Sequence, residues 1–479
     1  MTPSDARPVH LPEKASFIPF WDSLDKFHDL PAIAEPSTQR SWTYKQLAEN
    51  VAAGAAQLSD GRKRLVLIFA TNTADCVLLY LSALRANHAV FLSNHQIYDP
   101  PAATIIASYA PDSVFWSSGD PPDWSAEYEA GPSVHGLRQL RRSDHDMIAP
   151  RDELLLVLPT SGSTGNPKAV RLSTRNIAAN AIQIQLGLDL GHQDRAVTVL
   201  PIGYIFGLSV LHSHLASGSL IVIQKLSILE SGFWQIIRDF HVTTLAGVPF
   251  TYEILRQLRF DPRTTPSIST LIQSGGKIKS ITLDWLRSTL NRQLNVYLMY
   301  GMTEGAGRLC ILHPDALASK SDSVGLPVPF GEVEISRDSE ILFRGPNVML
   351  GYAKDRTDLL RRDDCCGALH TGDMGRKDTD GYVYITGRMS RICKILGRRY
   401  SLEDIESGFG DLEEVAAVSD DVTITLFHSG DSVCMQDRAN LLTRQFNLPS
   451  RTLRLKFIPS IPRSLSGKVD YRALNKQIS

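Results

Sequence analysis

The residues best suited to chemistry stand together in the run Thr160-Ser161-Gly162-Ser163-Thr164-Gly165-Asn166-Pro167-Lys168, entered from the apolar stretch Leu154 to Leu158. A short apolar run that ends in Gly, Ser and Thr reads as a buried strand delivering a loop. Glycines let the backbone approach a ligand closely, hydroxyls and bare N–H groups donate to phosphate oxygens, and one lysine adds a point charge. The chemistry is that of an anion cradle. A Walker-type phosphate loop would need four residues between its first glycine and a Gly-Lys-Ser/Thr triplet, whereas here Pro167 precedes Lys168 and Ala169 follows it. On these residues alone, a solvated Gly/Ser turn without a ligand stays open beside the cradle.

More segments of the same kind follow in order: Ser274-Gly275-Gly276, Tyr300-Gly301-Met302-Thr303-Glu304, Thr371-Gly372-Asp373, Gly387-Arg388 and Pro462-Arg463-Ser464-Leu465-Ser466-Gly467-Lys468. Together with the first loop they resemble the adenylate-forming superfamily of AMP-forming acyl- and aryl-CoA synthetases, peptide-synthetase adenylation domains and beetle luciferases. The style is closest to an acyl-CoA synthetase. The family loop ends in glycine where this chain has Ala169. The resemblance runs roughly from Ser41 to Leu474 and weakens between Glu406 and Pro459.

The resemblance implies ATP and Mg²⁺ as reactants, with CoA as co-substrate. It assigns Thr160, Ser161, Ser163, Thr164 and Lys168 to the β- and γ-phosphates, counts Gly162 and Gly165 of the same loop among the cofactor-binding residues, and gives Thr303 with Glu304 the α-phosphate and the metal. A carboxylate is a proper hard ligand for that ion. Ser274, Gly275, Gly276 and Gly301 would line the nucleotide cleft, Tyr300 would stack on adenine, Asp373 would accept the ribose hydroxyls, and Arg388 would add a charge-assisted bond. Lys468 resembles the catalytic lysine that bridges carboxylate and α-phosphate oxygens, where cations aimed at developing charge do most of the work. Read without the resemblance, Asp373 is a turn residue, Tyr300 the end of a core strand and Lys468 a surface lysine.

For the acid, the informative stretch is Pro201 to Leu208. It holds no aspartate to meet an ammonium group, so an acid without an α-amino group is expected. Tyr204 and Met302 would line its pocket, Tyr204 resembling the aromatic gate of acyl- and aryl-CoA ligases. His212 and His214 fall on an apolar helix and read as core histidines. Ser390 stands where relatives carry Asp or Lys as the hinge, and Gly397-Arg398-Arg399 resembles the loop lining the thiol tunnel. The basic run Arg388, Arg391, Lys394, Arg398, Arg399 is either a solvated face or the meeting place of an acidic acceptor. Transfer to CoA is the leading second step; a carrier-protein thiol or an amine is the rival acceptor. A nucleotide-binding relative without turnover is the non-catalytic alternative.

These motifs need a scaffold. Strand and helix alternate from Lys45 to Tyr300, which implies parallel sheets covered by helices, with ligands beyond the carboxyl ends of strands. Asp112 to Gly136 reads as a surface excursion, and Asn176 to Leu186 as a helix stopped by Gly187. From Gly325 short strands (Val333 to Ile335, Ile341 to Arg344, Tyr382 to Ile385) suggest a small β-barrel. The expected class is therefore α/β. Residues 1–387 form the ATP- and acid-binding domain, and residues 388–479 a smaller, mobile α+β lid carrying Lys468.

The size of 479 residues suits more than one domain. A net charge of -1 gives no general attraction to nucleic acid or membranes. The N-terminal stretch lacks a basic start followed by an apolar core, and no run reaches the roughly 18 apolar residues of a spanning helix. A soluble cytoplasmic protein is expected. Six scattered cysteines without a CxxC pair suggest reduced small hydrophobes rather than a metal site.

Overall fold

In strand Leu65–Phe69 every residue is buried, and successive side chains enter different cores: Leu65, Leu67 and Phe69 one, Val66 and Ile68 the other. A strand covered on both faces is a continuous apolar run, not an alternation. Ala89–Ser93 and the core of Leu154–Pro159 are built the same way. The structure, a computed structural model, describes residues 17–122, 127–143, 148–159, 168–289, 294–395, 398–409, 414–420, 422–430, 432–449, 452–463 and 469–478.

Two large sheets organise the first 350 or so residues. One has eight strands in the order Gly351–Ala353, Ala169–Ser173, Leu154–Pro159, Ala89–Ser93, Leu65–Phe69, Ser113–Trp116, Leu137–Arg142, Tyr128–Val134. The other has nine, in the order Leu326–Pro327, Cys310–Leu312, Asn295–Tyr300, Thr270–Gln273, Thr244–Gly247, Arg195–Val197, Leu220–Val222, Pro31–Glu35, Arg40–Thr43, parallel from Asn295–Tyr300 to Pro31–Glu35. Helices Tyr44–Leu58, Ala74–Arg85, Thr174–Leu188 and Ile205–Ser217 fill the space between them, sharing one core with the inward residues of both sheets. Helices Ser231–Asp239, Pro249–Gln257 and Ser280–Thr289 cover the outer face of the nine-stranded sheet, and Pro100–Tyr109 that of the other. The result is five alternating layers. Among the described residues no helix is long and apolar enough to cross a membrane.

The barrel expected from Gly325 onward is a four-stranded antiparallel half-barrel, Glu332–Ile335, Glu340–Arg344, Ala368–Lys377, Val383–Arg388. Beyond it come the pair Ile392–Ile395 with Arg398–Ser401 and the sheet Val415–Ser419, Ile424–His428, Leu453–Phe457. Helices Leu402–Ser407, Ser432–Gln445 and Tyr471–Asn475 pack on these strands. Two core clusters there draw only on residues from Cys393 onward.

Several local expectations are corrected. Asp112 to Gly136 is not a surface excursion, because Ser113–Trp116 is a parallel strand beside Leu65–Phe69 with three of its residues buried. Its apolar run, Val114 to Trp116, is too short to show a period. Gly187 does not stop its helix. That helix ends at Asp189, in the left-handed conformation, and Gly187, inside the helix, faces the tip of the Ile311 side chain. Asp373 lies in the ten-residue strand Ala368–Lys377 rather than a turn. Cys76, Cys310 and Cys393 are buried, but Cys366 and Cys434 are exposed and Cys365 is half-buried.

Candidate active site

The turn after strand Asn295–Tyr300 is the centre of the site. Its backbone doubles back so closely that a Cβ on Gly301 would collide with the carbonyl of Gly307, which leaves glycine as the only residue that fits. Thr303–Gly305 forms a single 3-10 turn and Ala306 takes the left-handed conformation. Three buried amides from other elements lock this turn. Asn347 Nδ2 donates to Gly305 O at 2.8 Å and to Arg308 O at 2.9 Å, Gln183 donates to Asn347 Oδ1, and Asn180 donates to Arg308 O. Buried amides hydrogen-bonded to one another and to the turn in this way favour one geometry.

Asp373 is 2% exposed and both of its oxygens are taken. Tyr300 donates its hydroxyl to Oδ2 at 2.6 Å, and Arg388 Nε lies 2.8 Å from Oδ1. Arg388 is directly across the half-barrel in register with Asp373. The Tyr300 ring is buried in the central core. Burial, then the charge of Asp373, raise the Tyr300 phenol well above its ordinary range, so it stays a donor. Burial pulls Arg388 down, but the carboxylates of Asp373, Glu403 and Glu304 outweigh it and leave the guanidinium raised.

Glu304 and Lys168 meet through Tyr352, a residue the sequence reading did not single out. Tyr352 donates its hydroxyl to Glu304 Oε1 at 2.8 Å, and Lys168 Nζ lies 3.4 Å from the centroid of its ring. The strand Gly351–Ala353 places it there by pairing with Ala169–Ser173, Tyr352 opposite Val170. Pro159 pairs with Ala169, which draws together the two ends of the glycine-rich loop. Residues Thr160, Ser161, Gly162, Ser163, Thr164 and Gly165 of that loop lie outside the described residues, as do Gly397 and Lys468.

Tyr204 caps the start of helix Ile205–Ser217, half-buried, and a Cβ on Gly275 would lie 3.4 Å from its hydroxyl. Ser274 is buried and Gly276 exposed just beyond strand Thr270–Gln273, on the same side of the sheet as Gly301. Met302 and Thr303 are half-buried. His212 and His214 are both buried, His212 Nε2 lying 3.0 Å from the Tyr80 hydroxyl.

Ser390 is exposed in the 3-10 turn Met389–Arg391, and Arg398 is exposed on its strand. The side chains of Lys394 and Arg399 are outside what is described. The basic run is not one open face, since Arg388 pairs with Asp373, and Arg391 pairs with Glu406 at 2.5 Å and donates to Ala417 O. The described residues that bracket Lys468, Arg463 and Val469, form an isolated bridge, and Arg463 sits 5.6 Å from the ring of Phe250 at the start of helix Pro249–Gln257. Among the described residues no group of three or more His, Cys, Asp or Glu could hold a metal ion.

A family profile described as AMP-binding enzyme matches residues 20–353. A 2-succinylbenzoate–CoA ligase of Bacillus cytotoxicus is 31% identical over 394 residues, covering 78% of this chain and 79% of its own. A 4-coumarate–CoA ligase of Solanum tuberosum is 24% identical across 98% of this chain and 95% of its own. Among solved structures, the o-succinylbenzoate CoA synthetase of Bacillus subtilis in complex with its acyl-adenylate intermediate superposes with a TM-score of 0.76 at 20% identity, over 95% of this chain and 97% of that one. A profile match across residues 20–353, which carry the Tyr300 turn and Tyr352, places this chain in the AMP-binding enzyme family.

Proposed function

We infer that this chain, an AMP-forming ligase of the acid–thiol type, activates a carboxylic acid lacking an α-amino group with ATP and hands the acyl group to the thiol of CoA. One observation carries the reading: a single turn, Tyr300 to Glu304, holds both anion-handling ends of the cleft. Tyr300 fixes Asp373 for the ribose, and Glu304 stands opposite Lys168 across Tyr352.

The residues fit the reactants. Arg388 is 53% exposed, free to swing so that Asp373 can accept ribose hydroxyls. Glu304 has one oxygen engaged by Tyr352, and its other has no donor among the described residues, which suits a hard cation. Mg²⁺ held there would neutralise phosphate charge. Lys168 and the hydroxyls from Thr160 to Thr164 would hold the outer phosphates. The acid's carboxylate oxygen attacks the α-phosphorus as the bond to pyrophosphate breaks, with Lys468 screening both anions. The CoA sulfur then attacks the acyl carbon and AMP leaves.

Residues 388–479 act as the lid, turning about Ser390 and presenting Gly397, Arg398 and Arg399 to the thiol. The contact of Arg463 with Phe250 supports a lid that rests against the large domain just before Lys468.

Mass spectrometry after incubation with ATP, Mg²⁺, an acid library, CoA and amines tests this. Acyl-CoA, AMP and pyrophosphate are expected. Amides in place of thioesters would replace the acceptor, and ATP binding without pyrophosphate release would leave a nucleotide-binding protein.

A further inference from the structure

Three arginines of the described chain are buried, and they differ in one respect. Arg171 pairs with Asp364 at 2.6 Å and Arg356 with Asp112 at 2.9 Å. Arg308 is just as buried, 2% exposed, yet no Asp or Glu among the described residues forms an ion pair with it. An uncompensated buried charge is costly and is kept only where something repays it.

The geometry of Arg308 is fixed. Its Nη1 donates to Gly307 O at 2.7 Å, its Nε points at Met299 Sδ at 3.0 Å, and its guanidinium carbon lies 4.1 Å from the Phe206 ring centroid. Its own carbonyl accepts from Asn180 and Asn347, so the backbone is anchored as well. A guanidinium has five N–H donors in a planar fork. The donors on Nη2 have no acceptor among the described residues.

Its surroundings are those of the acid pocket, not the nucleotide. Phe206 belongs to the segment beginning at Tyr204, and among the described residues the Tyr204 phenol is the one titratable neighbour that acts on the guanidinium. Burial lowers it to about 10, still protonated at neutral pH. Asp373 and Glu304 act on Arg388 but not on Arg308.

We propose that Arg308 receives a second carboxylate on the acid substrate, at the end remote from the carboxylate that is adenylated. The inference rests on the ligase reading and narrows it to dicarboxylic acids. Such a ligand brings into the core the negative charge the fold leaves out, and it can take the free edge of the fork through paired N–H···O bonds. The reacting carboxylate loses its charge on adenylation, but the distal one keeps it, so the compensation survives the reaction. The same cation disfavours an ammonium group in this pocket, which agrees with the lack of an aspartate from Pro201 to Leu208.

The test is ATP–pyrophosphate exchange with matched pairs: dicarboxylic acids of several lengths and the same acids with the distal carboxylate as its methyl ester. The wild-type protein is expected to favour the free diacid of its best pair by about 100-fold or more in kcat/KM, since a site built around polar donors rejects analogues that leave them unpaired. Arg308→Met should erase that preference by loss of the diacid rate, and Arg308→Lys should keep part of it. Equal wild-type rates on diacid and ester, or an intact preference in Arg308→Met, overturns the inference while the ligase reading stands. Exchange with no acid of any kind, monoacids included, removes both. The wild-type comparison decides the matter even if the variants fail to fold.

Discussion

Tyr300 donates its hydroxyl to Oδ2 of Asp373 at 2.6 Å, joining the end of the large sheet to the half-barrel across 73 positions of sequence. The carboxylate is buried and charged, so the bond is worth more than a neutral one. In Tyr300→Phe that oxygen loses its donor, at a cost of about 1–3 kcal/mol. The KM for ATP should rise about tenfold with the acid KM unchanged. Steady-state kinetics at saturating acid reads this, and an unaltered ATP KM would detach Asp373 from the nucleotide.

Tyr352 does two jobs with two parts of one side chain. Its hydroxyl orients Glu304 and its ring carries the Lys168 ammonium. Tyr352→Phe keeps the ring and loses the hydroxyl, so the Mg²⁺ concentration for half-maximal exchange should rise several-fold with a modest fall in kcat. Tyr352→Ala should lose both functions and about tenfold more activity. A Mg²⁺ titration in which Tyr352→Phe overlays the wild type would leave Glu304 with no link to the metal.

These two relationships show what was legible in the sequence. Tyr300, Glu304 and Asp373 stand in contiguous motifs whose order carries the resemblance to adenylate-forming enzymes. Tyr352 and Arg308 do not, because their chemistry exists only once distant segments meet: Tyr352 reaches Glu304 from 48 positions away. The layered fold was legible for the opposite reason, since continuous apolar runs such as Leu65–Phe69, too short for an ordinary helix, read as strands buried on both faces. Ser113–Trp116 was hidden because four residues carry no readable period, and the long strand Ala368–Lys377 because Gly372, with φ +69, breaks its pattern in the middle.

Lys468 is the residue assigned to the chemical step alone. Lys468→Ala should therefore lower acid-dependent ATP–pyrophosphate exchange by about a thousandfold or more, in the range of losing a principal charge-stabilising group. ATP binding followed by calorimetry should change little. Exchange at the wild-type rate in that variant would defeat the assignment, and loss of ATP binding would make the lysine a nucleotide anchor.

His212 sets an acid limit on stability. Its ring is fully buried, Nε2 lies 3.0 Å from the Tyr80 hydroxyl, and burial lowers its pKa from 6.5 to about 3. The folded protein keeps the imidazole neutral, whereas the unfolded chain takes up a proton near pH 6.5. Between those values the unfolded state binds more protons, so the stability from His212, present at neutral pH, is lost as the pH falls. The slope is about 1.4 kcal/mol per pH unit, which amounts to about 2 kcal/mol by pH 5. His214, His88 and His135 are also lowered by burial, so the diagnostic quantity is the difference between two proteins rather than one slope. His212→Gln keeps a hydrogen-bonding group beside Tyr80 and cannot be protonated. Urea unfolding at pH 7, 6 and 5 should show the wild type losing about 2 kcal/mol more than the variant, and parallel losses would mean that His212 is already charged in the folded protein.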